Sequence, residues 1–322
     1  MSSAPRAMVI SLQKAGTHLT QELMLELGYR MVGVPRPSPR TVPAFTDDEY
    51  AAIAALVLDK PEYDRLLGLR GTDAFVDGAR DAWTALGWHW QRRLGQRVVN
   101  RYGRTRLDFA DAVISNPYLP YTRFADTPAG LCWILHELDL ERVDGGFLSE
   151  WVETGTPPLV YNYRDPRDTI ISMINFLAGR TREGYGNFYE SDIYSAILAG
   201  KDTWEAKIDY ALQDPQFPAA DQFRKGLWLL NHPKVVSVRY EDLVGPAGGG
   251  SATRQVDAIG RVLAHVGSDR DAEKVAATVY NPDSWSFYRG RSGGWRELFT
   301  ARNNARFTER YGDILELYGY DS

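Results

Sequence analysis

The chain has 322 residues, of which 44% are hydrophobic, 25% charged and 12% aromatic, enough for one large globular core. Lys and Arg total 37 against 42 Asp and Glu, a formal net charge of −5, so no diffuse positive field points to nucleic acid or an anionic membrane surface, and any anion site must be local. Cys132 is the single cysteine, which excludes an internal disulfide framework and a multi-cysteine metal centre. With no signal-like start and no run long enough to span a bilayer, the expectation is a soluble cytoplasmic protein.

Met8 to Leu12 reads as a buried strand, and Leu19, Leu23, Met24 and Leu27 then recur at helical spacing. Between them lies "QKAGTH", residues 13 to 18. Gly16 lets the backbone approach a ligand closely, and the amides at a helix start favour an anion. The spacing is not the G-x-x-x-x-G-K-[ST] of a magnesium-nucleotide loop, because Lys14 precedes the glycine and reaches an anion from the side. Taken alone, the stretch fits equally a plain strand-turn-helix with a solvated lysine. From Arg36 to Gly130 the pattern is mostly helical and rich in Trp and Tyr, an insertion expected to cover the active edge of a sheet. Further strands are expected at 130–138, 158–165 and 234–243, with helices at about 144–154, 166–178 and 251–266. This alternation predicts an α/β fold, a central parallel sheet flanked by helices, with ligands at the carboxyl ends of the strands. "GPAGGGSA", 245–252, reads as a flexible linker.

Two later stretches carry basic groups in ordered settings. In "YNYRDPRDTIISMINFL", 161–177, Asp165 before Pro166 marks a helix start. Arg164 therefore sits at a strand end, and with Ser172 about two turns along the helix it can clamp one phosphate. Surface pairing of these Arg and Asp side chains is the other reading. In "WSFYRGRSGGWRELFT", 285–300, Arg289, Gly290 and Arg291 precede a Gly-Gly turn and Trp295, so backbone and guanidinium groups can close over an anion. A basic surface loop stapled by Trp295 is the alternative.

In this order the three stretches resemble the PAPS-dependent sulfotransferase family, whose motifs read P-K-x-G-T-T, R-[ND]-P-[KR]-D-x-x-x-S and R-x-G-x-x-G-x-W; here they are "QKAGTH", "RDPRDTIIS" and "RGRSGGW". "VRYEDLV", 238–244, is similar to the family's strand ending in Tyr-Glu-Asp, while 36–130 is unmatched. The resemblance implies a P-loop-like sulfotransferase fold and a co-substrate, 3'-phosphoadenosine 5'-phosphosulfate (PAPS), used without a metal. It implies that Lys14 contacts the bridging oxygen of the phosphosulfate, and that Ala15, Gly16, Thr17 and His18 form the cradle around it. It further implies that Arg164, Ser172, Arg289, Gly290 and Arg291 hold the 3'-phosphate, and that Tyr240 lies near the adenine. His18 replaces the second Thr of the loop, and Leu19 stands where many members have an adenine-stacking Trp, so adenine packing must come partly from elsewhere.

The K-x-H stretch that supplies the base in cytosolic members is absent, its nearest look-alike having Asn116 and no histidine. His136, at the carboxyl end of "GLCWILHEL", is the candidate base, with Glu137 as fallback and Asp139 to orient either. The expected activity is sulfuryl transfer from PAPS to a hydroxyl of a small-molecule, sugar or lipid-type acceptor, by a single domain that forms a homodimer if the aromatic insertion is a subunit surface instead of an acceptor pocket. An ATP-dependent small-molecule kinase and a non-catalytic nucleotide-binding module are the competing classes.

Overall fold

The computed structural model describes residues 5–33, 40–96, 114–179, 189–282 and 290–321. Its frame is five parallel strands, β1 (Ala7–Ser11), β2 (Arg30–Val32), β3 (Leu131–Leu135), β4 (Leu159–Tyr163) and β5 (Val235–Arg239), in the order β2-β3-β1-β4-β5. Every residue of β1, β3 and β4 is buried. These strands read as unbroken apolar runs because a parallel sheet with helices on both faces buries both sides. Alternate residues feed two cores: Met8 and Ile10 join one, Ala7 and Val9 the other.

Helix α1 (Thr17–Glu26) leads from β1 to the edge strand β2. Between β2 and β3 lie α2 (Asp47–Val57), α3 (Lys60–Leu67) and α4 (Asp73–Arg93), and α5 (Gly145–Thr154) connects β3 to β4. After β4 come α6 (Pro166–Leu177), α7 (Tyr189–Ala199), α8 (Trp204–Gln213) and the short α9 (Leu227–Leu230). Past β5 the chain forms the one-turn α10 (Tyr240–Leu243), α11 (Ala252–Val266), α12 (Ala272–Val279), the one-turn α13 (Trp295–Leu298) and α14 (Ala301–Tyr318). Most long helices begin on a side-chain cap, such as Thr46 with Glu49 at α2, Asp144 at α5 and Thr300 with Asn303 at α14. No described helix is long and apolar enough to cross a membrane.

The expected strands and the helices at 144–154, 166–178 and 251–266 all form. Three-residue β2 is too short for periodicity to reveal. The strand expected to run to 243 stops at Arg239, where Tyr240 opens α10. In place of a flexible linker, 245–252 folds into a tight turn, with Gly250 N donating to Gly245 O (2.7 Å) and Ser292 N donating to Gly248 O (3.3 Å). A side chain at Gly248 would run into Gly290 O and Val244, so the glycines permit close packing rather than motion.

The described part of the 36–130 insertion builds core. Trp83 packs edge-on against Phe45 (5.0 Å between centroids) and Trp133 of β3 (6.2 Å), and the fully buried Trp90 against Phe124 (5.1 Å). These aromatic contacts, not an exposed surface, account for Trp83 and Trp90.

The topology also sets where side chains converge. From β1 the chain turns toward β2 through α1, whose Leu23 and Met24 pack on the Ala7 and Val9 face. From the adjacent β4 it turns the other way through α6, whose Ile170 and Ile174 pack on the opposite face. Helices leaving neighbouring strands on opposite faces open a crevice at the strands' carboxyl ends, the point where such sheets take ligands.

Candidate active site

The turn after β1 is pinned at its start by Gln13 N, which donates to Gln222 Oε1 (3.1 Å). Lys14 and Gly16 both have positive φ, 65° and 96°. Helical bonding begins with Leu19 and Thr20 N donating to Gly16 O, at 2.9 and 3.2 Å. Because α1 has no side-chain cap, its first-turn amides and the positive end of its dipole face the crevice. Beneath the turn, Ser11 Oγ donates to Asn162 Oδ1 (2.9 Å) and lies 2.9 Å from Thr17 Oγ1. Ser11 has one proton and gives it to Asn162, so Thr17 must donate to Ser11. All three are buried. The Thr17 hydroxyl proton is thus spent inside, leaving the backbone amide for a ligand.

Gly16 is required twice, by its φ and by a neighbour: a Cβ there would meet Tyr240 Cε2 at 2.8 Å. The ring that glycine admits is wedged between the turn and Arg164, whose guanidinium lies 4.3 Å from the Tyr240 centroid. At 6% exposure, Tyr240 supports loop and arginine together.

Arg164 directly follows β4, and Asp165 caps α6 as expected, accepting from Arg167 N at 2.9 Å. Arg164 Nη2 donates to Arg291 O (2.7 Å) and lies 3.5 Å from Asp168 Oδ2, while its Nε is buried with no partner among the described residues. The Asp168 carboxylate also accepts from Gly293 N (2.6 Å) and Trp295 N (2.9 Å). It ties the 290–295 loop to α6. The Arg291 side chain is exposed and Ser172 half-buried, and Arg289 lies outside the described residues. Lys14 Nζ sits over the Phe176 ring, 4.5 Å from its centroid. Burial, with the Arg164 charge adding to it, depresses the Lys14 amine from its ordinary 10.5 to about 8.

Strand register places Ser11 beside the residue after Leu135, and His136 Nδ1 lies 3.1 Å from Ser11 O. A carbonyl only accepts, so the neutral ring carries its proton on Nδ1 and its lone pair on Nε2. Burial, and secondarily the Lys14 charge, hold His136 below the ordinary histidine range. Burial, then Lys14 and His136, pull His18 down to about 4. Lys14, His18, His136 and Arg164 thus share one electrostatic neighbourhood, with both imidazoles neutral at pH 7.

Glu137 turns elsewhere: its carboxylate pairs with Arg142 (3.0 Å) and Lys225 (3.6 Å), and Asp139 with Lys225 (3.1 Å). The Ser11 carbonyl, not Asp139, contacts His136. Asn116 bonds the end of α2, its Nδ2 donating to Leu56 O (3.0 Å). Sequence reasoning passed over Ser11, Asn162, Asp168, Phe176 and Gln222. Asp168 stands inside the quoted RDPRD motif and carried a signal; the others become visible only through tertiary contact. Among the described residues no group of three His, Cys, Asp or Glu side chains is gathered to hold a metal ion.

No family model matches the chain, and no curated protein matches it. Among solved structures it is similar to mouse sulfotransferase SULT7A1 complexed with PAP, at 14% identity over 98% of this chain and 84% of that one, with a TM-score of 0.48. It is also similar to retinol dehydratase in complex with androsterone and the inactive cofactor PAP, at 14% identity over 97% and 80% of the two chains, TM-score 0.46. The complex of retinol dehydratase with retinol and PAP gives 14% identity over 98% and 82%, TM-score 0.45.

Proposed function

We propose that the chain is a sulfotransferase that moves a sulfuryl group from PAPS to a hydroxyl of a small acceptor and releases 3'-phosphoadenosine 5'-phosphate (PAP). One observation carries the reading: two cations from adjacent strand ends, Lys14 and Arg164, converge at an uncapped helix start beside a neutral histidine of fixed tautomer. Such a site fits a ligand with two separate anionic groups. The reading is supported by a lysine whose charge burial destabilises and by the buried Arg164 Nε, which has no partner among the described residues.

PAPS supplies the activated sulfuryl group. Lys14 Nζ, with the α1 amides, holds the oxygen on which leaving-group charge grows, the kind of stabilisation that counts most when it is preorganised. Arg164, with the 290–291 loop, holds the 3'-phosphate by charge-assisted hydrogen bonds. His136 Nε2 takes the acceptor hydroxyl proton as the S–O bond to the acceptor forms and the bridging S–O bond breaks. The carboxylates nearest the crevice have other partners, Asp165 in a bidentate pair with Arg167 (3.0 and 2.9 Å) and Asp168 with the 293 and 295 amides. This arrangement weighs against the kinase reading, which needs a carboxylate for magnesium. Residues 36–130, adjoining β3, are taken to contribute to the acceptor side, and the compartment is taken as cytoplasmic.

Thermal shift tests the proposal. PAP should raise the melting temperature with or without EDTA. A larger shift with ATP plus Mg²⁺ would transfer the reading to a kinase, and no shift with any nucleotide would end it.

A further inference from the structure

The residues after α14 reach back to the strand ends that carry the site. Tyr320 OH donates to Glu241 Oε2 (2.8 Å), and the other oxygen, Oε1, accepts from Asp165 N (3.1 Å), the residue next to Arg164. Arg239, the last residue of β5, fastens the same segment: Nη2 donates to Gly319 O (3.0 Å) and Tyr318 O (3.2 Å), and Nε to Tyr163 OH (3.1 Å). Its guanidinium lies 5.0 Å from the Tyr320 ring, which stands edge-on to Tyr163 at 6.4 Å.

Glu241 is an awkward neighbour for an anion site. It follows Tyr240, whose ring touches Arg164, and its charge acts directly on that guanidinium. A bound phosphate would compete with it for Arg164. Both carboxylate oxygens are instead occupied by other donors, Oε1 by the Asp165 amide and Oε2 by the Tyr320 hydroxyl.

Resting on the functional reading above, we propose that Tyr320 is a positioning residue for the 3'-phosphate site, holding the Glu241 carboxylate away from Arg164 so that the guanidinium stays available to the nucleotide. Without the hydroxyl, one oxygen of a half-buried carboxylate loses its donor, and Arg164 is a cation whose charge already acts on it. The carboxylate then screens the site from a phosphate.

The test is a cycle of Tyr320→Phe and Glu241→Gln, read as PAP affinity against that of adenosine 5'-phosphate, which lacks the 3' group. Tyr320→Phe should weaken PAP about tenfold and adenosine 5'-phosphate by less than about twofold. In the Glu241→Gln background the same change should leave PAP affinity unaltered, because a neutral amide does not compete. Tyr318→Phe removes a different hydroxyl, paired with Tyr161 OH (2.7 Å) and donating to Phe223 O (2.8 Å), and should lower stability without altering discrimination between the nucleotides. Equal loss of both nucleotides in Tyr320→Phe, no loss, or the same loss in both Glu241 backgrounds overturns the proposal. If the wild type binds no PAP, the functional reading fails separately. Sulfate protection of Arg164 from a guanidine-specific reagent then decides for the hydroxyl: protection lost in Tyr320→Phe and restored by Glu241→Gln supports it, and unchanged protection overturns it.

Discussion

Lys14→Met removes a charge that burial makes costly for the folded chain to hold. Burial and the Arg164 charge depress this amine from 10.5 to about 8, which corresponds to about 3 kcal/mol of lost charge stabilisation. The sign follows from proton counting. Between pH 8 and 10.5 the unfolded chain holds the proton and the folded chain does not, so stability rises with pH through that window, and the full deficit is present below about 8. Lys14→Met should therefore stabilise the ligand-free protein at pH 7 by about 1–3 kcal/mol, a discount on the full shift for partial exposure, while abolishing turnover. An anionic nucleotide reverses the balance by stabilising the ammonium. Above about pH 8 binding must then take up a proton, and PAP affinity should fall up to tenfold per pH unit, while remaining flat between about pH 7 and 8, above the second phosphate pKa of about 6. Calorimetry at pH 9 in two buffers of different ionisation enthalpy measures that uptake, which should approach one proton per site and vanish in Lys14→Met. Uptake that persists in the variant, or a variant less stable than wild type at pH 7, would refute the reasoning.

Arg164→Ala should weaken PAP far more than adenosine 5'-phosphate, by roughly 1.5–3 kcal/mol for the lost charge-assisted bonds, and equal loss would reduce Arg164 to a scaffold residue. His136→Ala should cut kcat by about 10² to 10⁴, most with alcohols and least with acidic phenols, while nucleotide affinity survives; Glu137→Gln, which disturbs the Arg142 and Lys225 pairs, should cost stability before turnover, and the reverse pattern would move the base to the carboxylate. The acid limb of kcat should lie below the ordinary histidine pKa, since burial favours neutral His136. Gly16→Ala should destabilise by about 2–5 kcal/mol in urea unfolding, combining left-handed strain with overpacking against Tyr240, and Tyr240→Leu should relieve part of that loss. Trp90→Ala should cost about 3–5 kcal/mol, as expected for a fully buried ring, and a near-neutral result would contradict its place in the core.

Of the four strands legible in the sequence, β1, β3 and β4 stood out because burial on both faces leaves apolar runs, and half-buried β5 because it is rich in valine; the start of α6 was legible because Asp-Pro is a local signal. Lys14, Gly16, Arg164 and His136 could be singled out for the same reason: each sits at a boundary between elements, and boundaries are written in adjacent residues. What those residues touch is not local. That Gly16 admits the Tyr240 ring, that the Ser11 carbonyl sets the His136 tautomer, and that Asp168 draws the 293 and 295 amides onto α6 are contacts across 125 or more positions or between separate strands. Trp83 and Trp90 of the aromatic insertion show the same limit. Composition records that Trp83 and Trp90 are there, and only the packing of α4 on β3 decides that they fill core instead of facing a ligand. Likewise the glycines of 245–252 look flexible in isolation and become rigid once Gly248 meets the 290–292 loop, because absence of a side chain permits both motion and close contact, and the partner surface selects between them.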